Sequence, residues 1–355
     1  MSDTTLFDAL FLHKLVKNIF QANGIPAEDA DVIAEGLVSA DLRGVYSHGV
    51  VRVPMYCERL RHNLVNREPD IKVRQTSSAS KHIDGDHGMG FIVGRKAMSE
   101  AVELAQTTGV SLVGVSKSEH FGMSAIYLLQ ALEAGFISFV YTNSSPAMPV
   151  WGGRTKFLGA SPFAAAAPGG DLGPFVLDMA CTVTARGKLK YAAQRGEAIA
   201  PGLALDIDGH PTTDGEKAFH GVILPFGGMK GAGLAMLMEI LSGVMTGAAF
   251  AGDVKNPHTD LSGAQNVGHF FMAIKPDLFM PLAEYKNRMD TFIARSKVSQ
   301  KAKGVTEILI PGEPEARAEA ERKKNGIPLT PDVVKALRTE AEIAGIEFSM
   351  KSSFP

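Results

Sequence analysis

The segment Asp41-Leu42-Arg43-Gly44-Val45-Tyr46-Ser47-His48-Gly49-Val50-Val51-Arg52-Val53-Pro54-Met55-Tyr56 gathers a Ser–His pair, two arginines and two tyrosines. A helix running on from Gly49 would put His48, Arg52 and Tyr56 at i, i+4 and i+8, on one face. Imidazole, guanidinium and phenol side by side suit a small carboxylate that carries a second polar oxygen. Arginine grips a carboxylate as a planar fork. Histidine exchanges a proton near neutral pH. The same spacing also describes an ordinary solvated helix face. Pro54 interrupts it, because a mid-helix proline removes a hydrogen bond and kinks the chain.

A second histidine stands in Ser116-Lys117-Ser118-Glu119-His120-Phe121-Gly122. It lies between an apolar run, Val110 to Val115, and a following helical stretch. Strand-to-helix turns are where α/β proteins display functional side chains. His120 is read as an acid, a base or a substrate contact, or as a loop residue that caps the helix. Asn143 and Ser144 end another apolar run and could hydrogen-bond an amide or a carboxylate; they also suit a turn. Asp178-Met179-Ala180 leads into Thr182, Arg186, Lys188 and Lys190, a hydroxyl-and-cation set able to face oxyanions, or a solvated basic loop. Lys230 and Gly231 sit in Gly227-Gly228-Met229-Lys230-Gly231 ahead of a helix, a plausible anion cradle. No Ser or Thr follows the lysine, so this is no Walker A motif. The chain lacks G-x-G-x-x-G after a strand, which disfavours a Rossmann fold. It also lacks H-E-x-x-H, G-x-S-x-G and clustered metal ligands, so no metal is expected.

The elements that must hold these residues follow from periodicity. Leu6, Leu10, Phe11 and Leu15 mark a first helix ending near Asn23-Gly24, and Pro26-Ala27-Glu28-Asp29 opens a second. Ser47 to Leu64 is expected as a third. The glycine-rich stretch His82 to Gly90 reads as a turn before a helix over Gly94 to Thr107. Strands are expected at Val110 to Val115, Ile137 to Thr142, Ala164 to Ala167, Phe175 to Met179 and Phe270 to Ile274. Further helices are expected at Ser124 to Ala134, Leu234 to Val244, Met280 to Ser296, Glu313 to Asn325 and Pro331 to Ile343. The layout is an α/β (α+β) chain with helical ends. Residues 1–80 and 300–355 are expected to join as a helical domain around a mixed α/β middle, residues 81–299.

The 355 residues carry a net charge of -2, 45% hydrophobic and 21% charged residues. That balance gives no reason to expect nucleic acid or an anionic membrane as partner. Cys57 and Cys181 lack metal-type spacing and read as reduced thiols. The opening Met1 to Asp8 has no basic-then-apolar leader pattern. The apolar stretch Gly231 to Ala251 contains Glu239 and several glycines, and reads as a buried core helix. A cytoplasmic protein is expected.

Taken in order, these segments resemble the type-2 malate/L-lactate dehydrogenase family, which includes ureidoglycolate, sulfolactate and piperideine/pyrroline-2-carboxylate enzymes. The resemblance rests on Asp41 to Tyr56, Ser118 to Tyr127, Asn143-Ser144, Asp178-Met179-Ala180, Gly209 to Asp214, Leu224 to Gly233 and Val305 to Glu313. It implies NAD or NADP bound on a mostly antiparallel, non-Rossmann sheet, and a homodimer with the active site at the subunit interface. It implies that His48 and His120, with Ser47, are catalytic, and that Arg52, Tyr56 and Asn143 meet the substrate. Ser144, Asp178, Met179, Ala180, Thr182, Arg186, Lys230, Gly231, Pro311, Gly312 and Glu313 would meet the cofactor. Ala160-Ser161-Pro162, Leu203 and Gly215 depart from the family pattern. The expected reaction is hydride transfer between NAD(P) and C2 of a small 2-hydroxy or 2-oxo acid. The alternatives are reduction of a cyclic 2-imino acid, and a catalytically silent binding protein on the same scaffold.

Overall fold

The computed structural model describes residues 4–348; residues 1–3 and 349–355, parts of the expected polar start and helical domain, lie outside them. The chain opens with β1 (Thr5–Phe7), α1 (Ala9–Ala22) and α2 (Ala27–Leu42). The Asp8 carboxylate caps α1 by accepting the Phe11 N–H at 2.9 Å. Leu6 belongs to β1 and Leu10 is 75% exposed, so the expected stripe is corrected. The buried face of α1 runs through Leu12, Leu15, Val16, Ile19 and Phe20. Pro26 precedes α2, with Glu28 and Asp29 in its first turn, where acids complement the free N–H groups.

The third helix differs most from expectation. Two 3₁₀ turns, Tyr46–His48 and Val50–Arg52, precede α3 (Val53–Arg61). Pro54 therefore lies in the first turn, where its missing N–H costs nothing, and it does not kink the helix. The buried Asp41 carboxylate bends the chain by accepting the Val50 N–H at 2.7 Å. Gly49 packs on that carboxylate so closely that a Cβ there would lie 2.0 Å from Asp41 Oδ1.

The middle of the chain supplies β2 (Lys72–Ser77), β3 (Ser80–Gly88), α4 (Gly90–Thr108), β4 (Val110–Ser118), α5 (Ala125–Glu133), β5 (Ile137–Thr142), β6 (Phe163–Ala167) and β7 (Phe175–Met179). Then come α6 (Arg186–Arg195), β8 (Ala204–Leu205), β9 (Pro211–Thr212), α7 (Gly215–His220), β10 (Val222–Ile223), α8 (Met229–Glu239) and β11 (Val267–Ile274). The main sheet has the order β2-β3-β4-β11-β5-β6-β7. Only β3–β4 pair in parallel; every other neighbour is antiparallel. The expected turn at His82 to Gly90 is in fact mostly strand β3. Its glycines allow close packing: a Cβ on Gly85 would lie 2.8 Å from the Lys117 carbonyl oxygen. β2, fully exposed and polar, carries no periodic signal. α4 and α5 cover one face of the sheet, burying Val93, Ala97, Leu128 and Phe271 in one core.

The chain closes with α9 (Leu282–Lys297), α10 (Glu313–Asn325), β12 (Ile327–Leu329) and α11 (Pro331–Ile343). β12 pairs antiparallel with β1. Ile327, Leu329, Leu337 and Ala341 enter the same core as α1 to α3, with Met89 and Phe91 of the α4 start. α8 begins at Met229, five residues before expectation, and runs into a π turn, Ile240–Val244. It is not the fully buried helix expected, because Met229, Met236, Leu237, Ile240, Val244 and Met245 are exposed. No helix among the described residues is long and apolar enough to cross a membrane. Cys57 and Cys181 are free and buried.

Gly49→Ala is expected to cost about 2 kcal/mol of stability by overpacking against Asp41, read from denaturant midpoints, and to lower activity by moving His48. Burial pushes the Asp41 carboxyl from its ordinary 3.8 up to about 7. The fold therefore favours the protonated form. Its contribution is complete below the ordinary carboxylate range and is lost as pH rises through about 7. Asp41→Asn is expected to flatten this part of the fall in melting temperature, checked by thermal scans of both proteins across that window.

Candidate active site

Five of the expected residues converge with one that was not expected. The His48 and His120 rings stack with centroids 5.7 Å apart and planes 13° from parallel. The Tyr56 hydroxyl lies 2.6 Å from His120 Nδ1. The Gly122 N–H donates to the same nitrogen at 3.3 Å. A nitrogen that accepts a backbone N–H cannot carry its own proton, so Tyr56 donates too, and the proton of His120 resides on Nε2. Ser47 Oγ lies 2.9 Å from His48 Nδ1. Arg52 Nε donates to the Ser47 carbonyl at 2.6 Å, and Nη1 meets Nε2 of His258. Nη2 of Arg52 has no hydrogen-bond partner among the described residues.

The convergence does not use one helix face. His48 and Arg52 come from the two 3₁₀ turns, Tyr56 from α3, His120 from the turn after β4, and His258 from the segment between α8 and β11. Sequence reasoning missed His258: Asn256-Pro257-His258-Thr259 reads as an ordinary loop with no motif spacing.

One buried ion pair fixes these pieces together. Arg59, 1% exposed, meets Glu119 at 3.3 Å. Arg59 also donates to the carbonyls of Asp260 at 3.1 Å and Gly263 at 3.0 Å. Glu119 accepts the Gln265 N–H at 2.9 Å, and the Gln265 side chain accepts the His120 N–H at 3.2 Å. Its amide nitrogen reaches the Lys255 carbonyl at 2.9 Å. A buried charge pair of this kind is stable only when its remaining donors and acceptors are also met.

Electrostatics keep the imidazoles neutral. Burial, then the charge of Arg52, pushes His48 down to about 3. Burial, then Arg52 and His48, holds His120 well below its ordinary value. His258 is pushed down to about 4 by burial, then by Arg52, Lys190 and Arg186. Burial raises the Tyr56 hydroxyl, keeping it protonated. The cleft therefore holds one fixed cation, Arg52, among neutral donors.

Asn143, expected to meet the substrate, and the residues expected to meet the cofactor divide into two sets. Asn143, 1% exposed, donates to the Ala249 carbonyl at 2.6 Å and accepts the Gly268 N–H at 3.0 Å, so its amide joins two backbone segments. Glu313 pairs with Lys297 at 2.7 Å and accepts the Ile310 N–H at 3.0 Å. Pro311 accepts the Val176 N–H at 3.0 Å, and Gly312, at φ +97, packs where a Cβ would lie 2.9 Å from Val176. Gly231 is required by a tight turn, since a Cβ would lie 2.0 Å from the Phe226 carbonyl oxygen. These groups have structural partners.

The second set is more open. Ser144 Oγ accepts the Ala160 N–H at 3.0 Å. Asp178 accepts the Ala125 N–H at 2.8 Å at the start of α5, and burial raises it to about 6. Met179 and Ala180 follow at the end of β7, and Thr182 bridges to Pro225. Arg186 lies over the Phe219 ring at 5.4 Å. Lys230 is exposed in the first turn of α8, with no ion-pair partner among the described residues. Gly228, at φ +64, lies beneath the half-exposed Trp151 ring. Free first-turn N–H groups, unpaired cations and an exposed aromatic form a donor set that fits the phosphates and flat rings of a dinucleotide.

An α/β scaffold with a non-Rossmann sheet and a His–His–Tyr–Arg cleft is thus the class of structure at hand. The profile of the malate/L-lactate dehydrogenase family matches residues 7–338, and the chain belongs to that family. It is 41% identical over 310 residues to L-sulfolactate dehydrogenase of Methanocaldococcus jannaschii, covering 87% of this chain and 89% of that protein. It is 38% identical to malate dehydrogenase of Pyrococcus abyssi, covering 95% and 94%. Identity is 34% to ureidoglycolate dehydrogenase (NAD(+)) of Escherichia coli, covering 93% and 94%. The solved M. jannaschii sulfolactate dehydrogenase superposes with a TM-score of 0.91 at 38% identity, over 97% of this chain and 98% of that one. Delta1-piperideine-2-carboxylate reductase from Pseudomonas syringae superposes with a TM-score of 0.85 at 26% identity, over 95% and 100%. The chain is accordingly a dehydrogenase that acts on CH–OH groups.

Tyr56→Phe removes the O–H donor to His120 Nδ1 and leaves only the longer Gly122 N–H contact to hold the ring. Turnover is expected to fall at least about tenfold with KM little changed, measured by steady-state kinetics.

Proposed function

We propose that this enzyme transfers a hydride between a nicotinamide dinucleotide and C2 of a small 2-hydroxy or 2-oxo acid. The observation that carries the reading is the fixed tautomer of His120 beside the fixed guanidinium of Arg52. Arg52 holds the substrate carboxylate through its unpartnered Nη2. The nicotinamide, when bound, supplies or accepts the hydride. In the reductive direction the Nε2 proton of His120 passes to the C2 oxygen, and the Tyr56 hydroxyl proton passes to Nδ1. A proton from solvent then returns to the Tyr56 oxygen, so the hydroxyl is protonated again at the end of the turnover. Oxidation runs the same transfers backwards. His48, held by Ser47, packs on the His120 ring and offers a second polar contact to the substrate oxygen.

Lys230, Arg186, Ser144 and the Asp178 to Thr182 strand end would hold the dinucleotide. Asn143, Gly231 and Pro311 to Glu313 support that surface through the backbone. The choice of NAD or NADP rests with the cations Arg186, Lys188 and Lys190, any of which suits a 2′-phosphate. The exposed apolar stripe Met229, Met236, Leu237, Ile240, Val244 and Met245 supports a homodimer, because a stripe of that size in water favours a second copy. We place the active site at that interface, and the enzyme in the cytoplasm, where its free thiols stay reduced.

The likeness to the P. syringae reductase favours a second reading, a cyclic 2-imino acid as substrate. A protonated imine brings its own proton, so the two readings part at His120. A spectrophotometric screen of 2-oxo acids and pyrroline-2-carboxylate, with NADH and NADPH, tests them. The 2-oxo acid reading expects turnover of the keto acids, a loss of at least about a hundredfold in His120→Ala, and a large rise in KM in Arg52→Lys. Turnover of the imine alone, little altered in His120→Ala, would sink it.

A further inference from the structure

The guanidinium of Arg52 has three partners among the described residues, and none of them carries a charge. Nε donates to the Ser47 carbonyl at 2.6 Å, while Nη1 touches the Met55 sulfur at 4.0 Å and meets Nε2 of His258. Arginine offers only donors, so His258 Nε2 accepts and the ring proton is on Nδ1. Burial, then the Arg52 charge, pushes His258 down to about 4, so the ring is neutral around pH 7. The ring is placed by a segment that is itself clamped. The His258 backbone N–H donates to Asn256 Oδ1 at 2.9 Å, and the Asn256 carbonyl accepts the Asp260 N–H at 3.0 Å. Gln265 holds the Lys255 carbonyl at 2.9 Å on one side of His258, and Arg59 holds the Asp260 carbonyl at 3.1 Å on the other.

A carboxylate in the place of His258 would hold the guanidinium too, and more tightly, but it would cancel the charge that a substrate carboxylate needs. A neutral imidazole accepts one N–H and leaves the whole charge in place. We propose that His258 is the positioning residue for Arg52: its unprotonated Nε2 orients the guanidinium fork for the substrate carboxylate without neutralising it. The proposal rests on the assignment of Arg52 to that carboxylate, which the 2-oxo acid and cyclic imine readings share. The carboxylate is gripped alike in the ground state and the transition state, so the loss of a preorganised fork shows in KM and not in kcat.

Steady-state kinetics of the full-length enzyme with oxaloacetate and with pyruvate, each with NADH and NADPH, test it. His258→Leu removes the acceptor and is expected to raise the keto-acid KM at least about tenfold, with kcat changed by less than about threefold. His258→Gln sets an oxygen acceptor near the place of Nε2 and is expected to stay within about threefold of the wild-type KM. His258→Glu keeps an acceptor but adds a negative charge, and is expected to be the worst of the three, at least about a hundredfold up in KM. Gln and Glu match in size, so this pair separates charge from shape even where His258→Leu folds poorly. In an Arg52→Lys background, His258→Leu is expected to add less than about twofold, because the group it orients is gone. The proposal is overturned if His258→Gln is as impaired as His258→Leu, or if His258→Glu is as mild as His258→Gln. It is also overturned if the effects of Arg52→Lys and His258→Leu simply multiply, the mark of a merely structural role, or if the KM that rises is that of the dinucleotide. Should the wild type reduce pyrroline-2-carboxylate and neither keto acid, the 2-oxo acid reading alone fails, and the same order of variants is expected in the KM for that imine. Turnover of none of the three would remove the carboxylate assignment, and the proposal with it.

Discussion

The buried pair between Arg59 and Glu119 is the constraint on which the cleft depends. Arg59 is one turn along α3 from Tyr56, Glu119 precedes His120, and the carbonyls Arg59 holds belong to the segment that carries His258. One ion pair thus joins the three pieces of chain that meet at the substrate. Burying two charges is costly, and the cost is offset because two backbone carbonyls and the Gln265 N–H satisfy most of what remains, Arg59 Nε being left without a partner among the described residues. The same contacts give rigidity, since Arg59 and Glu119 cannot separate without leaving a buried charge unmet.

That rigidity turns local chemistry into function. A histidine in water exchanges its proton freely between its two nitrogens. Here two donors at Nδ1 assign it to one nitrogen, and burial beside Arg52 keeps the ring neutral. Neutral imidazoles can stack at 5.7 Å, where two charged rings would repel. The cleft is left with a single fixed positive charge, which selects a carboxylate without binding it through several competing cations.

The N-terminal approach to the cleft shows a different physical logic. Asp41, with a raised pKa, bends the chain at Val50, and Gly49 alone leaves room for that bend. The His48 to Tyr56 segment therefore forms two short turns and then a helix, and its side chains meet by folding inward.

Much of this was legible in the residues themselves. The α/β class, the missing Rossmann fingerprint, helices α2, α5, α10 and α11, and strands β4 to β7 follow from period, caps and glycine placement, all local properties. His48, Arg52 and Tyr56 stood out as proton-transfer and carboxylate-binding groups close together in the chain, and His120 as a histidine at a strand-to-helix turn. β2 and β3 were hidden, since a polar edge strand and a glycine-rich strand carry no alternation. The occupied amide of Asn143 was hidden as well, because hydrogen-bond partners more than a hundred positions away leave no trace in spacing. The same holds most of all for His258, 206 positions from Arg52. Sequence alone determined which chemical groups this protein owns and the local elements that carry them. Tertiary structure decided which of those groups face one another and which nitrogen bears a proton, because contact and burial depend on distance in space and not along the chain.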